Sequence, residues 1–244
     1  MVISQLAGSR HITWTKPWPE PKAWAGFGFW QPKARAWILL GPTQAEPGQA
    51  EPAHHYGNPR YTLPAIHDPS TGIYLAESFR IAQYLEKQYP NTTTVFPGPH
   101  DLSALHAAFS NAWDVETTAV TQFIIPAVFQ VLNPPSQAYF RRTREKSFGK
   151  KLEDITPKGE DRIAQWAKFR AGMGNVNKWF EMNGGGPFLM GDALSWSDLV
   201  IAGEMIWYRT IWGEDSEEWK DIKTWDGGRW NMILETLKEY ETVM

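Results

Sequence analysis

Between Tyr61 and Pro90 the chain reads YTLPAIHDPSTGIYLAESFRIAQYLEKQYP, and the placement of its prolines and apolar residues leaves few folds open. Pro64 cannot donate to a strand ladder, so it belongs at the first residue of a strand or on a sheet edge, and Ala65, Ile66 and His67 begin there. Asp68, Pro69, Ser70, Thr71 and Gly72 are a run of turn formers, and Ile73, Tyr74 and Leu75 follow it. Together these residues predict a β-hairpin. Glu77 and Ser78 stand immediately before Phe79, Ile81, Ala82 and Leu85, whose spacing paints one face of a helix. Ser78 thus falls at or beside the N-cap, where unpaired backbone N–H groups and the positive helix end attract a carboxylate. The helix should end near Tyr89, because Pro90 disfavours helical geometry in its predecessor.

The rest of the chain narrows the classes of function. At 244 residues and 42% hydrophobic, it can bury one large or two medium cores. A net charge of −3 gives no basic footprint for nucleic acid. Without a run of 18 or more apolar residues, and with a start (MVISQLAGSRHITW) that lacks a basic and apolar leader, a soluble cytoplasmic protein is expected, with no membrane partner. The absence of cysteine excludes disulfides, thiolate metal sites and a cysteine nucleophile, so thiol chemistry would need a thiol brought by a ligand. His54 and His55 are neighbours that diverge and the other histidines are scattered, so no metal is expected. The 14 tryptophans are read as core and interface filling before a platform for flat ligands.

The order proline-strand, turn, strand, Glu-Ser, helix, written here as LPAIHD, YLAES and IAQYLEKQYP, resembles the second half of the thioredoxin-like domain of glutathione transferases. The resemblance covers roughly residues 58 to 240, and YFRRTRE is most similar to the fungal etherase-type members. It implies an α/β thioredoxin-like N-terminal domain followed by an all-α helical C-terminal domain, with glutathione as co-substrate. By the same resemblance the bond before Pro64 is cis, and Leu63 pairs its backbone with the cysteinyl part of glutathione. Glu77 and Ser78 hold the γ-glutamyl end. The physics suits this: Ser78 can receive a carboxylate at the helix start while the Glu77 carboxylate accepts from an ammonium. The plain alternative is that Glu77 and Ser78 only cap a helix; Pro64 upstream and the apolar helix downstream favour the glutathione reading. The implied partner is a small hydrophobic or aromatic electrophile, and the family's members suggest a homodimer.

Residues 91 to 100 read as a polar, proline-rich linker with Phe96 as an apolar anchor, and residues 101 to 244 as the helical domain. Leu102, Leu105, Phe109, Ala112, Trp113, Val120, Phe123 and Ile124 predict a long amphipathic helix that Pro126 should kink or end. The Arg- and Lys-rich stretch from Arg141 to Lys151 is expected to be a solvated helix face. A further helix from about Asp161 to Met182 should turn Ile163, Trp166, Phe169, Val176, Trp179 and Phe180 to a core, and Gly184 to Gly186 with Pro187 should stop it. Ser195 and Asp198, three apart before an apolar run, predict a structural capping box with Leu194 and Leu199 as its hydrophobic staple.

Residues 1 to 57 do not fit the family pattern. Pro17, Pro19, Pro21, Pro32, Pro42, Pro47 and Pro52 break any strand-helix-strand unit over most of that segment, which is expected to be irregular and leaves the first half of the thioredoxin-like domain incomplete. In the family the hydroxyl that activates the glutathione thiol follows the first strand. Ser4, Ser9, Thr13 and Thr15 are the hydroxyls of suitable position, none in the family's context, so the catalytic residue stays unassigned. The expected function is a glutathione transferase in which the thiolate attacks an electrophilic or aryl-ether carbon. The alternatives are a binder of glutathione or aromatic ligands without catalysis, and a chain impaired by a shifted reading frame or misjudged intron in residues 1 to 57.

Overall fold

The computed structural model describes residues 64–98 and 101–241. The expectations for residues 1 to 57, for Leu63 and for the Leu63–Pro64 bond fall outside them. Among the described residues, 64–94 with 239–241 make one compact unit, and 95–98 with 101–238 make another.

In the first unit, β1 (Ala65–Asp68) and β2 (Ile73–Ala76) pair antiparallel, with Ala65 opposite Ala76 and Asp68 opposite Ile73. The turn closes on the Asp68 carbonyl, which accepts from the N–H groups of Thr71 at 3.3 Å and Gly72 at 2.8 Å. Gly72 takes φ 72°, a left-handed conformation that a side chain would strain. His67 stacks on its cross-strand partner Tyr74 with ring centroids 4.1 Å apart. Helix α1 (Ser78–Gln88) follows β2 after Glu77 alone and buries Ser78, Ile81, Ala82 and Leu85.

The second unit is all helical: α2 (Ser103–Thr117), α3 (Thr121–Val131), α4 (Pro134–Phe148), α5 (Gly159–Met182), α6 (Trp196–Trp212), α7 (Glu217–Thr224) and α8 (Arg229–Thr236), with short 3-10 turns between some of them. This hairpin-and-helix unit followed by an all-α unit is the thioredoxin-like plus helical architecture that the family resemblance implies. Aromatic side chains fill the second core. Trp113, Trp196, Trp219, Trp225 and Trp230 are buried. Trp166 meets Phe123, Phe169, Trp212 and Trp225 edge to face at centroid distances of 5.0 to 6.0 Å. Such tilted pairs use the positive ring edge against the negative face.

Several sequence expectations change here. Pro126 lies inside α3 and does not end it; the break comes earlier, at the 3-10 turn Thr118–Val120. An interior proline costs about 3 kcal/mol, and burial of Phe123, Ile124, Ile125 and Val128 on the same helix offsets it. On α2 the buried residues are His106, Trp113 and Thr117, whereas Leu105 is 66% exposed. A polar contact decides the face: His106 Nδ1 lies 2.8 Å from Ser197 Oγ. Ile163 is 71% exposed, because it lines an open cleft between α5 and α7 with Trp166 and Trp225 instead of entering the core. The stretch expected to be a linker contains the apolar anchor Phe96, with Val95 beside it. Val95 and Phe96 are buried with the helical unit, where the Val95 carbonyl accepts from the Trp196 N–H at 2.7 Å and Phe96 lies 5.5 Å from the His106 ring. The basic α4 is solvated on one side only. Arg141 stacks on Phe129 and Arg144 on Phe140, so their guanidinium planes cover aromatic faces.

Candidate functional site

The hairpin register determines which candidate residues share an edge. Since Ala65 faces Ala76, the next opposed positions are Pro64 and Glu77, so Pro64, Glu77 and Ser78 stand at the open end of the hairpin, opposite its turn. Pro64 is half-buried and Ser78 buried. Pro64 precedes β1, where its missing N–H removes no ladder bond. Ser195 and Asp198 belong to the other compact unit.

Glu77 joins β2 to α1 with φ 74° and ψ 114°. A left-handed backbone on a residue other than glycine costs of order 1–3 kcal/mol and persists only where its surroundings over-determine it. Glu77 is the N-cap: its carbonyl accepts from the Ile81 N–H at 2.9 Å, and its side chain makes no cap bond. No acidic residue occupies the first turn of α1, so the positive end of the helix is not neutralised by a carboxylate within it. A strained junction, a buried serine and a helix start thus stand together at this edge, with the Glu77 carboxylate beside them. This donor and acceptor set fits an α-amino acid end.

Asp68, a turn former by its place in the sequence, has a larger role in the structure. Its side chain is buried, and four donors converge on it. Tyr84 Oη donates to Oδ2 at 2.6 Å and Tyr89 Oη to the same oxygen at 2.7 Å. The Ser70 N–H and Oγ donate to Oδ1 at 2.9 and 2.7 Å. Burial alone would push this carboxyl up, but the bonds from Tyr84, Ser70 and Tyr89 outweigh it and hold Asp68 well below the usual carboxylate range. Burial and the adjacent Asp68 carboxylate push the Tyr84 phenol up. Thr71 Oγ1 also lies 2.6 Å from Tyr84 Oη. The sequence signal was an Asp-Pro-Ser turn followed by two tyrosines, which become partners only once α1 folds back along the hairpin.

Ser195 is the N-cap of α6 and forms the reciprocal capping box with Asp198. The Asp198 carboxylate accepts from the Ser195 N–H at 2.9 Å, from Ser195 Oγ at 2.7 Å and from the Leu189 N–H at 2.7 Å. Both residues are fully buried. Burial pushes the Asp198 carboxyl up, against the bonds from Ser195 and Leu189. His106 bonds Ser197, while the Ser195 hydroxyl donates to Asp198, an arrangement unlike an activated nucleophile. Among the described residues no group of three or more His, Asp or Glu side chains is placed to hold a metal ion, and no helix is long and apolar enough to cross a membrane.

Comparison with known proteins places this architecture. Residues 104–240 match the glutathione S-transferase C-terminal domain family. A glutathione S-transferase of Ceriporiopsis subvermispora, whose crystal structure is in complex with glutathione, is 44% identical with a TM-score of 0.74, covering 80% of this chain and 78% of that one. A glutathione transferase of Phanerochaete chrysosporium is 34% identical with a TM-score of 0.71, covering 80% of this chain and 77% of that one. The glutathione S-transferase-like protein ustS of Aspergillus flavus is 27% identical over 192 residues, covering 75% of this chain and 68% of that protein.

Proposed function

Because the chain belongs to the glutathione S-transferase family, we propose that it is a glutathione transferase that binds glutathione at the open end of the hairpin and uses its thiolate on a small hydrophobic or aromatic electrophile. The observation that carries this reading is the left-handed Glu77 at the start of α1, with Ser78 buried behind it. A backbone outlier of this kind suits a site that must present a carboxylate acceptor and helix-end donors together. Ser78 receives the α-carboxylate of the γ-glutamyl group, Glu77 accepts from its ammonium, and the backbone of Leu63, ahead of Pro64, pairs with the cysteinyl part. In this reading the glutathione-binding domain spans residues 58–90, a linker 91–100, and the helical domain 101–244. The protein acts in the cytoplasm as a homodimer, which light scattering of the purified chain would test.

The chemistry follows from the co-substrate. A free thiol has a pKa of about 8.5, and each unit by which a protein lowers it is about 1.36 kcal/mol of preferential thiolate stabilisation. The thiolate forms a C–S bond to the electrophilic carbon while the leaving group departs with its electron pair. On a β-aryl ether, the products are a thioether and a phenolate. The resemblance of YFRRTRE to the fungal etherase-type members makes the aryl-ether substrate class the first to assay.

The test is calorimetric titration of glutathione into the full chain and into Ser78→Ala, with conjugation of a generic aryl halide and β-aryl ether cleavage measured on the same preparations. Ser78→Ala should weaken glutathione about tenfold or more, as loss of a hydrogen bond to a charged group does. An unchanged affinity would remove the proposed site. Glutathione binding without turnover of either substrate would establish the binding-only alternative.

A further inference from the structure

The Asp68 cluster lies at the opposite end of the hairpin from Glu77, and the geometry connects the two. Four residues of β2 advance about 13 Å and eleven residues of α1 return about 16 Å, so the second half of the helix arrives back at the turn. Tyr84 and Tyr89, on that second half and at its C-cap, meet Asp68 there. The reversal from strand to helix occurs at one residue, Glu77, with no slack on either side. The apolar seam beneath α1 is short, made by Ile81, Ala82 and Leu85. A buried carboxylate with four donors, two of them the α1 tyrosines, fixes the far end of the helix. With both ends of the reversal fixed, the chain turns at Glu77 alone, and there φ is 74°.

We propose that Asp68 is a positioning residue for the glutathione site: by clamping Tyr84 and Tyr89 to the hairpin turn it holds Glu77 in its left-handed conformation and so sets the position of the Glu77–Ser78 edge. This rests on the glutathione reading given above. Asp68 itself touches no ligand. Its effect reaches the site through the rigid helix, and its signature is therefore coupling to the backbone of residue 77.

The experiment is a double-mutant cycle on the full chain, with glutathione titrated calorimetrically into the unsubstituted protein, Asp68→Asn, Glu77→Gly and the double variant. Glycine adopts φ above zero without strain, so in its presence the clamp has nothing left to enforce. Asp68→Asn is expected to raise Kd about tenfold in the unsubstituted background and less than about twofold in the Glu77→Gly background, at unchanged stoichiometry. Tyr84→Phe with Tyr89→Phe, which keeps the carboxylate and removes two donors, should reproduce the Asp68→Asn effect. An equal penalty in both backgrounds would overturn the coupling. A fall in stoichiometry at unchanged Kd would reduce Asp68 to support of the fold and overturn the proposal. If the unsubstituted chain binds no glutathione, the functional reading falls and this inference with it; if it binds and Asp68→Asn binds equally well, this inference alone falls.

Discussion

Each unit of this protein contains one buried aspartate ringed by hydrogen-bond donors, and the two titrate in opposite directions. Asp68 in the hairpin unit is held below the ordinary carboxylate range, while burial pushes the Asp198 carboxyl at the start of α6 up. Asp68 takes bonds from two phenols and from both the hydroxyl and the N–H of Ser70, and these outweigh its burial. Asp198 has fewer donors in a fully buried setting, and there burial wins. The difference reflects what surrounds them. The helical unit is organised around an aromatic core that excludes water, and its aspartate satisfies the backbone of a helix start. Among the described residues of the hairpin unit, α1 buries Ser78, Ile81, Ala82 and Leu85, the Asp68 clamp joins the turn to that helix, and Glu77 carries the strained backbone.

The largest expected effect is on the helical side. Asp198→Ala leaves the buried N–H and hydroxyl of Ser195 and the half-buried N–H of Leu189 without their acceptor, which at about 1–3 kcal/mol for each unsatisfied group should cost roughly 3 kcal/mol or more in urea unfolding. A loss below about 1 kcal/mol would show that the two aspartates do not differ in kind. Next comes Gly172→Ala. A Cβ at Gly172 would stand 1.9 Å from the Glu116 carbonyl oxygen, backbone against backbone, so α2 and α5 must separate. The expected destabilisation is roughly 1–3 kcal/mol, read as a lower thermal midpoint. Full stability would mean that this core deforms as readily as the hairpin.

On the hairpin side the sign reverses. Glu77→Gly removes a left-handed conformation that a side chain resists, and should raise stability by about 1 kcal/mol while weakening glutathione. Stabilisation with full glutathione affinity would separate the strain from binding.

The smallest effects are in the pH dependence. Asp68 titrates lower in the folded than in the unfolded chain, so the stability it contributes is present above about pH 4 and is lost as the pH falls below that. Asp68→Asn should flatten this acid limb. Burial pushes the His106 imidazole down, so the unfolded chain binds protons first and stability falls as the pH drops below about 6.5. His106→Gln should remove that slope in unfolding experiments between pH 7 and pH 5. Its persistence would assign the slope to another group.

Much of the site was legible before any coordinates. Local chemistry specified the hairpin, the helix start at Ser78, its end near Tyr89 and the Ser195–Asp198 box, because each depends on residues a few positions apart. Where the outcome depended on distant partners, local pattern misled. Leu105 had the right spacing for the core, yet His106 took its place because Ser197, on another helix, offered a bond. Pro126 had the right chemistry to stop a helix, yet apolar burial around it carried α3 on to Val131.

The sequence by itself determined the hairpin, the start and end of α1 and the capping box of α6, since turns, caps and apolar periodicity there are written within a few residues of one another. Only the tertiary structure decided that Asp68 would face tyrosines 16 and 21 positions away, and that Glu77 would sit in a left-handed conformation. Both depend on α1 folding back along β2, and the angle of that return is set by burial and hydrogen bonding summed over the whole unit. No local preference favours φ above zero at a glutamate; the closed loop imposes it.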